Sequence, residues 1–452
     1  MNEILRHTFS VCPVCLRRVP ACLKARKSDI YLEKRCEEHG EFSAIVWRGE
    51  PFLADWVGDV PEIAVDGGSG CPDACGLCPE HRQDTCCILL EVTRRCNLTC
   101  AHCFAESSSA RPGDDPPLAR VQAWITDIAG KGKTFLQLSG GEPTLRDDLP
   151  DIIRFAKEVG CEYVQLNSNG LRLAEDPDYV ESLAKAGLSF VFMQFDGTTD
   201  TIYTRLRGQA LLNTKLQAIE QCGLRNIGVT LVPTLVPGVN VQDIGAIIRL
   251  AVEHSPLVRG VHFQPVSYFG RYPQAPDDAL RLTLPEVLRE IFEQAGDSVP
   301  ANSIAPSHCD HARCGFHGAY LVTPEGLKAL IRPGSAGCCR PIPAEKNRRF
   351  VGARWQRPAS QGCAGTDKPG TSGGTTEPCD LSSLDGFFRR MRSHAFTLSA
   401  MAFQDAYTLD LERLRQCSLH VYADGAVRPF CAHYLTRAGA QCHPETLGTE
   451  AR

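Results

Sequence analysis

Between residues 87 and 266, apolar strand-like runs alternate with amphipathic helical ones, and this alternation restricts the fold more than any other feature of the chain. The strand candidates are Cys87–Thr93, Thr134–Leu138, Tyr163–Asn167, Phe190–Phe195, Ile227–Val232 and Gly260–Val266. Helical stretches fall between them at Ala119–Ala129, Asp148–Glu158, Asp178–Ala186, Leu212–Cys222 and Val241–His254. Strands joined through helices lie parallel in one sheet, with right-handed crossovers. The expected fold class is therefore α/β: a partial (β/α)6 TIM-like barrel whose site lies at the carboxyl ends of its strands. Polar and glycine-rich residues gather at those ends. Ser139-Gly140-Gly141-Glu142-Pro143 follows the second strand, and Asn167-Ser168-Asn169 the third. Gln194 and Asp196 end the fourth strand, and Gln264 the sixth. Paired glycines let backbone approach a ligand closely, and the Glu142 carboxylate suits an ammonium group.

The first strand leads directly into Cys96-Asn-Leu-Thr-Cys100-Ala-His-Cys103-Phe104. Three thiolates at this spacing can hold three irons of a [4Fe–4S] cube, and soft sulfur ligands favour such a cluster. A fourth cysteine at local spacing is missing, which leaves one iron open. The alternative is a zinc knuckle completed by a distant residue. With 23 cysteines in 452 residues and no apolar leader before Cys12, metal binding in a reducing cytoplasm is expected rather than a disulfide framework. Cys161 and Cys222 stand alone and read as small buried residues.

Further cysteine groups flank the barrel. In residues 1–60, Cys12-Pro-Val-Cys15 and Cys36-Glu-Glu-His39 match a zinc-ribbon or rubredoxin-like module for one zinc or iron, with Cys22 as an alternative to His39. In residues 61–86, Cys71-Pro-Asp-Ala-Cys75-Gly-Leu-Cys78 repeats the triplet spacing within a loop, with Cys86 and Cys87 as possible fourth ligands. It reads as an auxiliary cluster or a second zinc site; the barrel core is then 87–300. Residues 301–452 carry Cys309, Cys314, Cys417 and Cys431, candidates for a third cluster, with Cys338 or Cys339 as substitutes. Within them, 333–379 is rich in Gly, Ser, Thr and Pro and reads as a loose insertion. Leu381–Met391 and Asp410–Gln416 look helical, and Cys417–Cys431 looks like a hairpin.

The Cys96–Cys103 triplet with Phe104, followed one βα unit later by Gly140-Gly141-Glu142-Pro143, resembles the radical S-adenosylmethionine (SAM) superfamily. The resemblance implies that SAM chelates the open iron through its amino and carboxylate groups and that the segment Ser139 to Pro143 contacts its amino group. Asn167 and Asn169 by their amides, and Gln194, Asp196 and Gln264 by their place at the strand ends, are expected to complete its site. The resemblance also implies reductive cleavage of SAM to a 5′-deoxyadenosyl radical that abstracts hydrogen from an unactivated C–H bond. The N-terminal metal module and the Cys71 triplet, together with a match running through Arg428-Pro-Phe-Cys431, resemble more narrowly the multicluster group of the archaeal pterin methylase and tetraether lipid synthase. Val261–Gly270 is similar to a bacterial subgroup associated with selenium-compound gene clusters. That group implies auxiliary [4Fe–4S] clusters and methyl transfer or carbon–carbon bond formation on a small molecule or lipid. Catalytic side chains are not identifiable.

A net charge of −5 and the absence of a basic tract argue against nucleic acid. No apolar run is long enough to span a bilayer. The expected partner is an electron donor such as ferredoxin or flavodoxin. Two other classes compete: a peptide-modifying maturase, and a non-catalytic Fe–S electron-transfer or metal-binding protein. The latter leaves the barrel and its glycine-rich segment unexplained.

Overall fold

The computed structural model describes residues 2–58, 77, 80–107, 112–300, 302–307, 309–330, 344–358, 384–423 and 425–435. Cys71, Cys75, Cys78, Cys338 and Cys339 lie outside them.

The chain opens with a four-stranded antiparallel meander of β1 (Asn2–Val11), β2 (Arg18–Arg26), β3 (Asp29–Cys36) and β4 (Gly40–Arg48). Alternation in β2 and β3 buries Leu23 and Leu32, which join the main core together with Trp47. The module is also tied to the C-terminal region: Thr8 donates to Asp410 at 2.7 Å and Arg6 at 2.5 Å.

The main sheet begins with β5 (Cys87–Thr93), β6 (Phe135–Gly140), β7 (Tyr163–Ser168), β8 (Phe190–Gln194), β9 (Gly228–Val232) and, beyond the short β10 (Thr234–Leu235), β11 (Val258–Pro265). These six are parallel neighbours in chain order, each within two residues of the expected bounds. The intervening helices are α1 (Leu118–Gly130), α2 (Leu149–Glu158), α3 (Leu171–Glu175), α4 (Pro177–Ala186), α5 (Asp200–Arg207), α6 (Leu212–Leu224) and α7 (Ile244–Glu253), followed by α8 (Leu284–Ala295). The short α3 and α5 lack a sustained apolar stripe and escape the sequence reading.

Strands from the C-terminal region extend this sheet at both edges. β12 (Ala305–Pro306), β13 (Gly315–Thr323) and β14 (Gly326–Ala329) lie on one side, where β15 (Ala395–Met401) runs parallel to β11. On the other side β16 (Leu419–Ala423) runs parallel to β5 and turns into β17 (Ala426–Pro429), the hairpin expected from Cys417–Cys431. Eight parallel strands thus form an arc that ends in antiparallel strands and stays open.

Within 333–379, residues 344–355 are not loose but form α9 (Ala344–Trp355), packed against β9, β11 and β15. Five of its twelve residues are charged and only Phe350, Val351 and Trp355 are large and apolar, so it shows no sustained helical period. The remaining helices are α10 (Leu384–Ser393), α11 (Leu411–Leu414) and α12 (Phe430–His433).

The two-residue period of the strands decides what lies inside the arc. Leu136, Leu138, Val191, Met193 and Phe263 join the core that packs under the helices. Their neighbours Gln137, Ser139, Phe192, Gln194 and Gln264 face a cavity instead.

Candidate functional site

The cavity holds about 340 Å³ and is lined at the carboxyl ends of the strands by Cys96, Cys100 and Cys103. Ser139, Gly140, Gly141, Glu142, Asn167, Asn169, Gln194 and Gln264 line it too, so these expected site residues and the cysteine loop share one space. Pro143 and Asp196 are not on its wall. Pro143 starts a short 3-10 turn, and the buried Asp196 lies behind Arg207, which takes the wall position. Arg207 donates to both Asp196 oxygens at 2.7 Å, and it also reaches the Cys100 thiol. Asp196 is therefore an anchor for a cation rather than a ligand contact of its own.

The paired glycines serve the protein before any ligand. A Cβ on Gly140 would stand 2.1 Å from the Thr93 carbonyl oxygen, and one on Gly141 would stand 2.0 Å from that of Arg95. Gly141 N–H donates to Thr93 at 2.9 Å and Glu142 N–H to Arg95 at 2.7 Å. Only glycine admits this approach, which fastens the loop between β5 and the first cysteine to the end of β6. Other ties hold the same loop. Arg95 pairs with Asp115 at 2.6 Å, Asn169 donates to Asn97 at 2.7 Å, and Cys103 exchanges two backbone bonds with Arg271.

Glu142 likewise faces inward. Its carboxylate accepts from Thr144 N–H and Oγ1, Ser168 Oγ and the Asn169 amide at 2.6–3.1 Å. Burial without a cation partner pushes its pKa up, while these donors hold it back. It joins the β6 and β7 loops into one shelf.

His102, between the second and third cysteines, is a wall residue that the sequence reading passed over. Its Nδ1 is buried with no partner, and burial pushes the ring's pKa down to about 4, so the imidazole is neutral. A buried orphan nitrogen beside three thiols fits a bound group that completes its hydrogen bonding. Its place next to the third cysteine was the available signal. Phe104 instead packs on Tyr434 and Phe430, with ring centroids 4.9 and 5.5 Å away.

Cys12, Cys15, Cys36 and His39 sit in the two turns of the N-terminal meander, with one donor atom from each within 4.8 Å of the others. Among the described residues no other group of three His, Cys, Asp or Glu side chains is as tight. That spacing suits one tetrahedral ion. Cys22 lies away from it, facing Glu33 and Lys24, so the geometry selects His39 as fourth donor. Cys96, Cys100 and Cys103 do not form a group this tight.

The C-terminal cysteines divide. Cys309 packs against Cys86, and Asn347 donates to both sulfurs, at 2.9 and 3.5 Å. Cys314 takes a hydrogen bond from Arg413 Nε at 3.2 Å, Cys417 donates to the Leu419 carbonyl, and Cys431 accepts from the Gln404 amide. Burial pushes the thiols of Cys314, Cys417 and Cys431 up, and the Cys86 contact together with burial does the same for Cys309. Cys86, Cys87 and Cys309 open onto the same cavity as the Cys96 loop.

The profile of the radical SAM superfamily matches residues 90–251, and that of the HMPTM N-terminal zinc ribbon domain matches residues 4–48. The chain is 32% identical to the 7,8-dihydro-6-hydroxymethylpterin dimethyltransferase of Methanocaldococcus jannaschii, over 95% of this chain and 93% of that one. It is 32% identical to the Fe-coproporphyrin III synthase of Methanosarcina barkeri, over 43% and 47% of the two chains. The solved structure of Streptococcus suis SuiB bound to S-adenosylmethionine overlaps 48% of each chain at 14% identity, with a TM-score of 0.40.

Proposed function

The chain belongs to the radical SAM superfamily, and from that premise we propose that it methylates, or joins carbon to, an unactivated carbon of a small molecule, with Cys96, Cys100 and Cys103 holding the SAM-binding [4Fe–4S] cluster. The observation that carries the assignment is the interlock of the cysteine loop with Gly140 and Gly141 at the mouth of one cavity, beside the unpartnered His102 Nδ1. Cluster and SAM, when bound, supply the one-electron chemistry that opens unreactive C–H bonds. The protein's part is positioning and exclusion of water.

The Glu142 shelf presents Ser139, Asn167 and Asn169 toward the cysteines as hydrogen-bonding groups for the polar end of SAM. Arg207, locked by Asp196, sets a positive charge against the Cys100 thiolate. Phe135, Phe192 and Trp355 give the cavity an aromatic floor, with Phe192 and Trp355 centroids 4.6 Å apart. Such a floor keeps water from a reactive centre.

In the same proposal Cys12, Cys15, Cys36 and His39 hold a single zinc or iron, and Cys71, Cys75 and Cys78 hold an auxiliary cluster. A further cluster draws on cysteines among Cys86, Cys309, Cys314, Cys417 and Cys431. A ferredoxin or flavodoxin in the cytoplasm supplies the electrons.

The relative's substrate makes pterins the first candidates, with lipids and selenium metabolites next. Incubating the reconstituted enzyme with deuterated candidates and following label into 5′-deoxyadenosine tests the reading. Label from a ribosomal peptide, with none from the small molecules or lipids, overturns it in favour of a maturase.

A further inference from the structure

Helix α9 closes the cavity at the end opposite the cysteine loop. A Cβ on Gly228, which begins β9, would stand 2.2 Å from the Trp355 carbonyl oxygen. Gly352 lies against the ring of Tyr163, which begins β7, and Arg259 near the start of β11 donates to the Arg354 carbonyl at 2.8 Å. The helix therefore spans the amino ends of the strands. Asn347, Phe350, Val351, Arg354 and Trp355 share one face by helical spacing, and all five line the cavity.

Arg354 is left uncompensated on that face. Its guanidinium stacks over the Phe350 ring at 3.7 Å, and its Nε is buried with no hydrogen-bond partner. Burial pushes its pKa down to about 10, and among the described residues no acid beside it opposes the shift. Arg259 and Arg357 add positive charge nearby, and Arg259 spends its donors on the backbone carbonyls of Arg354, Arg392 and Ser393. A half-buried guanidinium without a carboxylate is costly unless a ligand anion completes it. Its planar fork fits the oxygens of a carboxylate or a phosphate.

We propose that Arg354, braced by Phe350, is an anion subsite that holds a carboxylate or phosphate group of the substrate at the amino end of the cavity. The substrate's reacting carbon then points toward Cys96, Cys100 and Cys103; this orientation rests on the proposed function. The anion is not the carboxylate of SAM, because the SAM-facing groups Ser139, Asn167 and Asn169 lie at the carboxyl ends of the strands. Nor does it depend on the identity of the reaction. The subsite selects for an anionic substrate with an apolar or aromatic body, since Phe350 stacks on the guanidinium and Trp355 lines the same cavity.

The test is calorimetric titration of the anaerobically reconstituted full chain, saturated with SAM, with phenyl phosphate, benzoate and neutral benzyl alcohol. An anionic probe should bind about tenfold or more tightly than benzyl alcohol, the size of one charge-assisted hydrogen-bonded contact. Whichever anion binds better identifies the group on the natural substrate. Arg354→Gln should remove the anion preference while keeping benzyl alcohol binding, and Arg354→Lys should restore part of it. Equal binding of charged and neutral probes to the unaltered protein, or an anion preference that survives in Arg354→Gln, overturns the subsite. If the unaltered protein makes no 5′-deoxyadenosine from SAM, the functional reading fails; the anion preference is read separately from that result.

Discussion

Replacing Asp196 by asparagine tests whether the positive charge under the cysteine loop is set by the fold. Both partners of the Asp196–Arg207 pair are buried, with side-chain exposures of 0% and 5%, and two N–H···O contacts of 2.7 Å join them. At that distance two unit charges attract by about 6 kcal/mol for an effective dielectric near 20. Burial of the charges offsets much of this, so the pair is worth little beside an apolar one; removing one partner is different. The substituted amide keeps a hydrogen bond but leaves Arg207 charged in a buried site, and the expected loss is about 3 kcal/mol or more. That is a large part of the roughly 5–15 kcal/mol by which a folded protein is stable. The assay is guanidinium unfolding of anaerobic, metal-loaded protein followed by far-ultraviolet circular dichroism. The double replacement Asp196→Leu with Arg207→Met should recover most of the loss, because no charge is then stranded. A loss below about 1 kcal/mol in Asp196→Asn would refute the reasoning, since it would mean that Arg207 reaches water or another acceptor.

Gly141→Ala should prevent the loop from docking, because its Cβ meets the Arg95 carbonyl at 2.0 Å; the expected outcome is a lower melting temperature and lost iron at the Cys96 site, measured by calorimetry and iron analysis. Asp410 gives a pH dependence. Burial alone would raise its carboxyl, but Arg313 and Arg6 hold it well below the usual carboxylate range. Its stabilisation is therefore present above the unfolded pKa of about 3.9 and lost as pH falls below that toward the folded value. The stability difference between the unaltered protein and Asp410→Asn should be about 3 kcal/mol at pH 7 and shrink below pH 4, read by denaturant titration at each pH. Cys36→Ser should lose the single N-terminal metal ion while the other metal sites stay loaded, and Cys22→Ser should lose none, as metal analysis would show.

The barrel core was legible because parallel strands buried on both faces carry dense apolar runs, and Leu136, Leu138, Val191 and Met193 supply them. The same alternation pointed Gln137, Ser139, Gln194 and Gln264 inward, so a polar site at the strand ends was readable from the pattern alone. Of the edge strands, β16 and β17 were legible as the Cys417–Cys431 hairpin, whereas β15 was not, and only tertiary pairing with β11 and β5 gives β15 and β16 their places in the sheet. Helix α9 escaped notice for the opposite reason, since its charged sequence packs through three apolar residues and a few arginines. Gly140, Gly141 and Glu142 line the cavity, and a second role of theirs was not legible in the sequence: the glycines also serve a backbone crossing, and the Glu142 carboxylate accepts from four protein donors. Asp196 read as a ligand contact because Arg207, eleven residues later, gave no local sign of pairing with it.

The most direct test of the central claim compares two triple alanine replacements, one at Cys96, Cys100 and Cys103 and the other at Cys71, Cys75 and Cys78. Each protein is reconstituted anaerobically, given SAM and dithionite, and assayed for 5′-deoxyadenosine by mass spectrometry. The first should form none and the second should still form it, because the loop of the first triplet is locked to Gly140 and Gly141 at the cavity mouth. Continued formation in the first, with loss in the second, would contradict the assignment and move the chemistry to the other triplet.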